Sequence, residues 1–147
     1  MRISAKGRYG LSSMIYLTLN TTTEYVTVLK ISEDLGISKI YLEQVFSLLK
    51  RAALVNSIKG SSGGYQLSRS PEKITAFDIL NAFEVSLFEA TEKTSSKKSS
   101  YIDNTLSNVI WNSLDNNIKQ FLKSITLSNL SAEASKNQKG NDYMYFI

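Results

Sequence analysis

The sequence has no cysteine and no histidine among its 147 residues. Disulfides are therefore impossible, and so is any thiolate or imidazole metal site. Zinc fingers, Cys-ligated iron–sulfur clusters and haem held by His or Cys are excluded on that ground. Catalysis by Ser-His-Asp or Cys-His goes with them. Carboxylates, lysines, tyrosines and hydroxyls remain, but no cluster of them stands out, so neither an enzyme nor a cofactor is expected. A single proline and the lack of a long low-complexity tract argue against a disordered chain. No run approaches the ~18 apolar residues of a membrane span. The opening stretch, Met1 to Arg8, is basic but lacks the apolar core of a signal peptide. The expectation is a cytoplasmic protein with no membrane contact.

The charge that is present is unevenly spread. Residues 1–73 carry a formal charge of +5 and residues 74–147 a charge of −1, within a net charge of +4. A basic first half suits contact with a polyanion, although an ordinary solvated surface has the same composition.

Apolar periodicity divides the chain into short helices. Residues 8–19 read as a helix with an apolar face of Tyr9, Leu11, Met14, Ile15, Leu17 and Leu19. Thr27 can cap a second helix whose Val28, Ile31 and Leu35 share a face, and Gly36 is placed to end it in the left-handed conformation. Ser38 can cap a third, running through Tyr41, Leu42, Val45, Phe46, Leu48 and Leu49 to about Ala52. Two helices joined at a glycine corner form the helix-turn-helix pattern. Residues 54–59, a flexible turn Gly60-Ser61-Ser62-Gly63-Gly64 and the return Tyr65-Gln66-Leu67-Ser68 read as a hairpin where a wing belongs. Thr75 and Asp78 resemble a capping box for a helix over 76–84, and residues 91–100 read as a Ser/Thr/Lys-rich loop.

The predicted fold is mostly α with a small β-hairpin wing. A winged helix-turn-helix occupies residues 1–84, a linker loop 85–100, dimerisation helices 101–137 and a tail 138–147. Within the long helix over 101–124, Ile102, Leu106, Ile110, Leu114, Ile118 and Leu122 recur every four residues. That period exceeds 3.6 and does not support a left-handed coiled coil, which needs 3.5. It makes an i±4 ridge, suited to a partner helix crossing at about −50°. The ridge can pack on its own domain or on a second copy, and a helix that outreaches a small head favours the homodimer. A shorter helix over Leu127–Ser135 follows, then a polar segment in which Gly140 can act as a hinge. The apolar tail with Tyr145, Phe146 and Ile147 either packs back or enters a partner protein.

A recognition helix enters the major groove by its first turns, while the preceding helix crosses the backbone. Ser38, Lys39, Tyr41, Glu43 and Gln44 could then reach bases or phosphates. Glu can accept from cytosine N4, and Gln can pair with adenine. Lys59, Gly60 and Ser61 form the wing tip, and Lys6, Arg8 and Lys50 are candidate phosphate contacts. A phosphate-loop reading of the glycine turn fails, because a strand rather than Lys-Ser/Thr and a helix follows. The alternative to the motif is a helical hairpin in an all-α core, and the alternative function is a protein-interaction adaptor whose helix-turn-helix scaffold no longer reads DNA and whose C-terminal tail binds an enzyme.

Three stretches together resemble the signatures of the Rrf2 family of bacterial winged-helix transcriptional regulators. They are Lys6-Gly7-Arg8-Tyr9-Gly10, then Ile37-Ser38 with Tyr41-Leu42-Glu43-Gln44-Val45-Phe46, and Lys59-Gly60 with Gly63-Gly64-Tyr65-Gln66-Leu67. The resemblance implies a homodimeric repressor with crossing long helices and two winged heads on a pseudo-palindromic operator in double-stranded DNA. It implies base reading at Ser38, Glu43 and Gln44, with Lys59 on the wing. Ile40 stands where several relatives carry a small polar residue, Ala53 replaces the usual glycine after the recognition helix, and Lys59 is often Arg. Cluster-binding members place three cysteines in the loop matching 88–101, which has none here. The chain looks like the cluster-free branch, and its tail, Asp142 to Ile147, is similar to that of repressors of cysteine metabolism, a type controlled by association with O-acetylserine thiol-lyase.

Overall fold

Helix α1 (Ala5–Asn20) is the element on which the others converge, and small residues make that possible. The computed structural model describes residues 1–20, 24–61 and 63–145, with 143–145 as backbone. The buried face of α1 is Gly7, Gly10, Ser13, Met14, Tyr16 and Leu17, whereas Leu19, assigned to the core by periodicity, is exposed. A Cβ at Gly7 would run into the Glu84 carboxylate, and one at Gly10 into the Phe83 ring. Glu84 in turn accepts from the Ser4 backbone N–H at 2.7 Å and from its hydroxyl at 2.6 Å, tying down the start of α1. The helix therefore begins three residues before the apolar pattern does, and Lys6 and Arg8 are helical.

The next three elements form as local chemistry dictates. Helix α2 (Val28–Leu35) has Thr27 as its N-cap, accepting from the Lys30 N–H, and ends at Gly36 with φ 67°. Helix α3 (Lys39–Arg51) is capped by Ser38, which accepts from the Tyr41 N–H at 3.2 Å. Tyr16 donates to Asp34 at 2.6 Å, joining α1 to α2; burial and the carboxylate beside it push the phenol up to about 12. Strands β1 (Val55–Ile58) and β2 (Gly64–Leu67) pair antiparallel, with Val55 opposite Leu67 and Ile58 opposite Gly64. A bridge between Val26 and Tyr65 extends the hairpin towards α2. Ile31, Leu42, Val45, Phe46, Leu49, Leu54 and Val55 close the core with Met14 and Leu17 of α1.

The capping box at Thr75 and Asp78 is present, but helix α4 (Ala76–Asn81) is shorter than the expected 76–84, giving way to a turn at Ala82 and Phe83. The long helix runs from Ser100 to Lys123 as α5 (Ser100–Leu106), a π-helical turn (Ser107–Trp111) and α6 (Asn112–Lys123). The π turn gives the four-residue period a geometric meaning. In a regular α-helix such a row drifts by about 200° between Ile102 and Leu122, and the extra residue taken up by a π turn removes about 100° of that.

The last helix differs most from expectation. Helix α7 (Leu127–Tyr145) continues through the polar segment and Gly140, so no hinge divides it. It is not an appendage either. Leu127 is fully buried in the same core as Met14 and Phe46, and the Leu127 N–H donates to Ile74 at 2.7 Å. The reason is tertiary: α7 lies along α1, with Ala134, Ser135 and Gln138 sharing a recess with Ser12, Ile15 and Leu19.

Helix α3 ends in a Schellman motif. The Leu54 N–H donates to Leu49 O at 3.0 Å and the Ala53 N–H to Lys50 O at 2.9 Å. This places Ala53 at φ 58°, the one positive φ outside glycine among the described residues. An L-residue there costs roughly 1–2 kcal/mol, part of which glycine loses again to unfolded-state entropy. Ala53→Gly is expected to raise stability by about 1 kcal/mol, seen as a rise of a few degrees in Tm with the structure otherwise unchanged. An unchanged or lower Tm would show that the strain is absorbed elsewhere.

Candidate nucleic-acid interface

The exposed side of α3 is what the core leaves over. Leu42, Val45, Phe46 and Leu49 turn inward, so residues at i, i+3 and i+4 from Ile40 face out. Ile40, Glu43, Gln44, Ser47 and Leu48 line one open depression of about 490 Å³, and Lys6 of α1 closes its edge. Three sequence-predicted residues, Lys6, Glu43 and Gln44, are thus brought together. Lys39 approaches Glu43 at 3.9 Å, an exposed i,i+4 pair that offsets part of the carboxylate's charge and contributes little stability.

The other candidates are placed as follows. The Ser38 oxygen serves as the helix cap, and the side chain is exposed. The Tyr41 ring is half-buried and meets Tyr9 edge-on with centroids 5.2 Å apart, so it fixes α3 on α1. Arg8 is exposed on α1 and Lys50 on the last turn of α3. Arg51 lies beside Lys50, exposed and basic; the pair of consecutive basic residues at the helix end could have found it. Ile40, Ser47 and Leu48 were also missed as lining residues, although helical spacing from Gln44 marks them.

The wing stands beside this helix and is coupled to it. Phe46 packs against the Tyr65 ring with centroids 4.6 Å apart, and Tyr65 exchanges backbone hydrogen bonds with Val26 at 2.8 and 2.9 Å. Gly64 sits at φ 138° against the Val26 backbone, where any side chain would collide. Lys59, Gly60 and Ser61 are exposed at the tip, and Ser62 lies outside the described residues. The exposed face of α3, a wing tip with Lys59 and the lysine Lys6 on α1 form a surface that can meet a duplex through phosphates and through base edges.

In the loop after α4, the Asp103 carboxylate accepts from the Thr94 N–H at 3.1 Å and the Ser95 N–H at 2.9 Å. These backbone donors, Thr94 first, hold it below the usual carboxylate range.

The fold and the surface define a winged helix-turn-helix DNA-binding protein. The family model described as "Iron-dependent Transcriptional regulator", Rrf2, matches residues 3–133. The regulator IscR of Klebsiella pneumoniae is 36% identical over 130 residues, 88% of this chain and 79% of that protein. The structure of CymR, the global cysteine regulator of B. subtilis, superposes with TM-score 0.74 at 32% identity, covering 90% of this chain and 98% of that one. T. potens IscR gives 0.72 at 32% identity, over 99% and 96%. The chain belongs to the Rrf2 family of transcriptional regulators, a non-enzymatic family that acts by binding DNA.

The iron in that family description does not fit the residues here. The sequence has no Cys or His, and no group of three or more carboxylates that could hold a metal occurs among the described residues. Nor is any helix among them long and apolar enough to cross a membrane.

Proposed function

We propose that the protein is a repressor that binds a pseudo-palindromic operator as a homodimer, with α3 in the major groove and the Lys59 wing tip against the adjacent backbone. The observation that carries the DNA-reading part is the convergence of Lys6, Glu43 and Gln44 on one depression of α3, beside a wing docked on the same helix. Lys6, Arg8, Lys50 and Lys59 supply phosphate contacts, and Ser38, Glu43 and Gln44 supply base contacts. Two measurements test this. Binding should weaken steeply with salt, with a slope of about −0.9 per phosphate contact, and Lys59→Ala should flatten it by about one contact. Gln44→Ala should lose discrimination at one base pair by roughly 1–3 kcal/mol while leaving helicity unchanged. Salt-independent binding, or equal weakening on every sequence, would remove these roles.

The dimer reading rests on what the long helix leaves uncovered. None of its apolar side chains is buried in the single chain: Ile102, Ile110 and Leu114 of the ridge are exposed, with Tyr101, Val109 and Phe121 around them. Met1, Ile3, Leu80, Leu87, Ile118, Phe121 and Leu122 line an almost wholly apolar recess of about 330 Å³ beside the ridge. A patch of this kind marks an association surface. Leu114→Asp should give monomers by sedimentation, since an unpaired charge cannot be buried there at acceptable cost. A variant that stays dimeric would refute the assigned interface.

Control of cysteine or sulfur metabolism, through association with O-acetylserine thiol-lyase, is part of the same proposal. It is supported by the likeness to a cysteine regulator and by the apolar segment Tyr143 to Ile147, of which Phe146 and Ile147 lie outside the described residues. Removing Phe146 and Ile147 should abolish enzyme binding by calorimetry and leave the fold and dimer intact. Retained binding would exclude this route of control.

A further inference from the structure

The apolar side chain most exposed on the helix-turn-helix is Ile40, at 73%, in the first turn of α3. Local structure gives no reason for it. Isoleucine is a poorer helix former than the straight-chain residues, and here it buries nothing in return. The other large apolar side chains of α3 are accounted for: Leu42, Val45, Phe46 and Leu49 are in the core, and Tyr41 is on Tyr9. Leu48 is half-buried. Ile40 instead shares the depression with Lys6, Glu43, Gln44 and Ser47, on the face turned to solvent.

Only one feature of the major-groove edge is apolar. Thymine presents its C5-methyl there, while the other groups are hydrogen-bond donors or acceptors. Ile40 has no polar atom with which to contact those, and a base edge with nothing to bond would be desolvated at a cost. We propose that Ile40 is a specificity residue of the operator contact, packing on the methyl group of a thymine. The proposal rests on the reading of α3 as the groove-entering helix. It adds a prediction about position. Ile40 and Gln44 are one helical turn, about 6 Å, apart along the axis. With base steps of about 3.4 Å, the thymine lies within about two base pairs of the pair read by Gln44.

The test removes the methyl group from the DNA and the side chain from the protein, separately and together. Operator DNA selected by the full-length protein is scanned with single thymine-to-uracil replacements, which delete only the C5-methyl. At one position per half-site the replacement should weaken the wild-type complex by about fourfold, the value of one buried methyl group. Ile40→Ala, which removes the contact from both heads of the dimer, should bind the unmodified operator about sixteenfold less tightly and be indifferent to that same replacement. Its salt slope and its melting temperature should match the wild type, since Ile40 neither touches phosphate nor fills the core. Sequence-specific binding that ignores every uracil replacement would overturn the proposal and leave the α3 reading standing. So would an Ile40→Ala variant that keeps full sensitivity. Failure to select any sequence would overturn both.

Discussion

The approach of α1 to the chain around Phe83 and Glu84 is the contact on which the molecule is built. It is close enough that neither Gly7 nor Gly10 can carry a side chain. Ser4 caps the start of α1 by accepting from the Gly7 N–H at 3.0 Å, and the Glu84 carboxylate holds that cap through the Ser4 N–H and hydroxyl. A buried carboxylate is tolerable because it accepts two good hydrogen bonds. From this fixed helix, Tyr9 locates α3, Tyr16 locates α2 through Asp34, and Met14 and Leu17 reach the common core. The same helix carries Lys6 and Arg8, so the phosphate contacts proposed for them share a rigid frame with the base-reading face.

That frame explains why the wing and recognition helix act as one body. The glycine turn between β1 and β2 would leave a two-stranded hairpin marginal by itself. Here Tyr65 closes it from both sides, by backbone bonds to Val26 and by its ring on Phe46. The Schellman end of α3 then sets where β1 departs, and Ser68 and Arg69 hold the Ala53 carbonyl from the far strand at 2.7 and 3.3 Å. Ala53 persists in a left-handed conformation because these contacts over-determine it.

The caps were the most legible part of the sequence. Thr27, Gly36, Ser38 and the Thr75–Asp78 box act within four residues of themselves, so their chemistry is written locally. Apolar periodicity was less reliable wherever tertiary contact overrode it. On α1 the buried face is set by glycine and serine, which a hydrophobic pattern does not score, and Leu19 is left outside. On α7 the anchor is tertiary, Leu127 in the core and the side facing α1, more than a hundred residues away in sequence, and the exposed polar stretch with its glycine continues that helix. The π turn at Ser107–Trp111 has no local signature, although the four-residue row was its indirect trace. On the outer face of α3, a search for polar residues led to Glu43 and Gln44, and with Lys6 of α1 they line one depression, but it passed over Ile40, which lines the same depression.

The loop between α4 and α5 has to satisfy its backbone donors without a regular ladder. Asp103 does this for Thr94 and Ser95 with one carboxylate, at the base of the long helix that leaves the head. Phe77 and Phe88 pack edge-on across the neighbouring turn, with the Lys123 ammonium 5.0 Å over the Phe77 ring, so α6 is also fastened to α4. The long helix is thereby rigid with respect to its own head while its apolar ridge stays open. In the proposed dimer this rigidity determines specificity as much as any base contact. A flexible junction would let each head bind by itself and separate sites would be tolerated at any spacing. A stiff one raises the effective concentration of the second head only where the half-sites match its reach. Discrimination of roughly 1–3 kcal/mol per base pair in one half-site then counts twice on a palindrome. A chain with a small head and only a handful of basic contacts can in this way distinguish an operator from the excess of non-specific DNA.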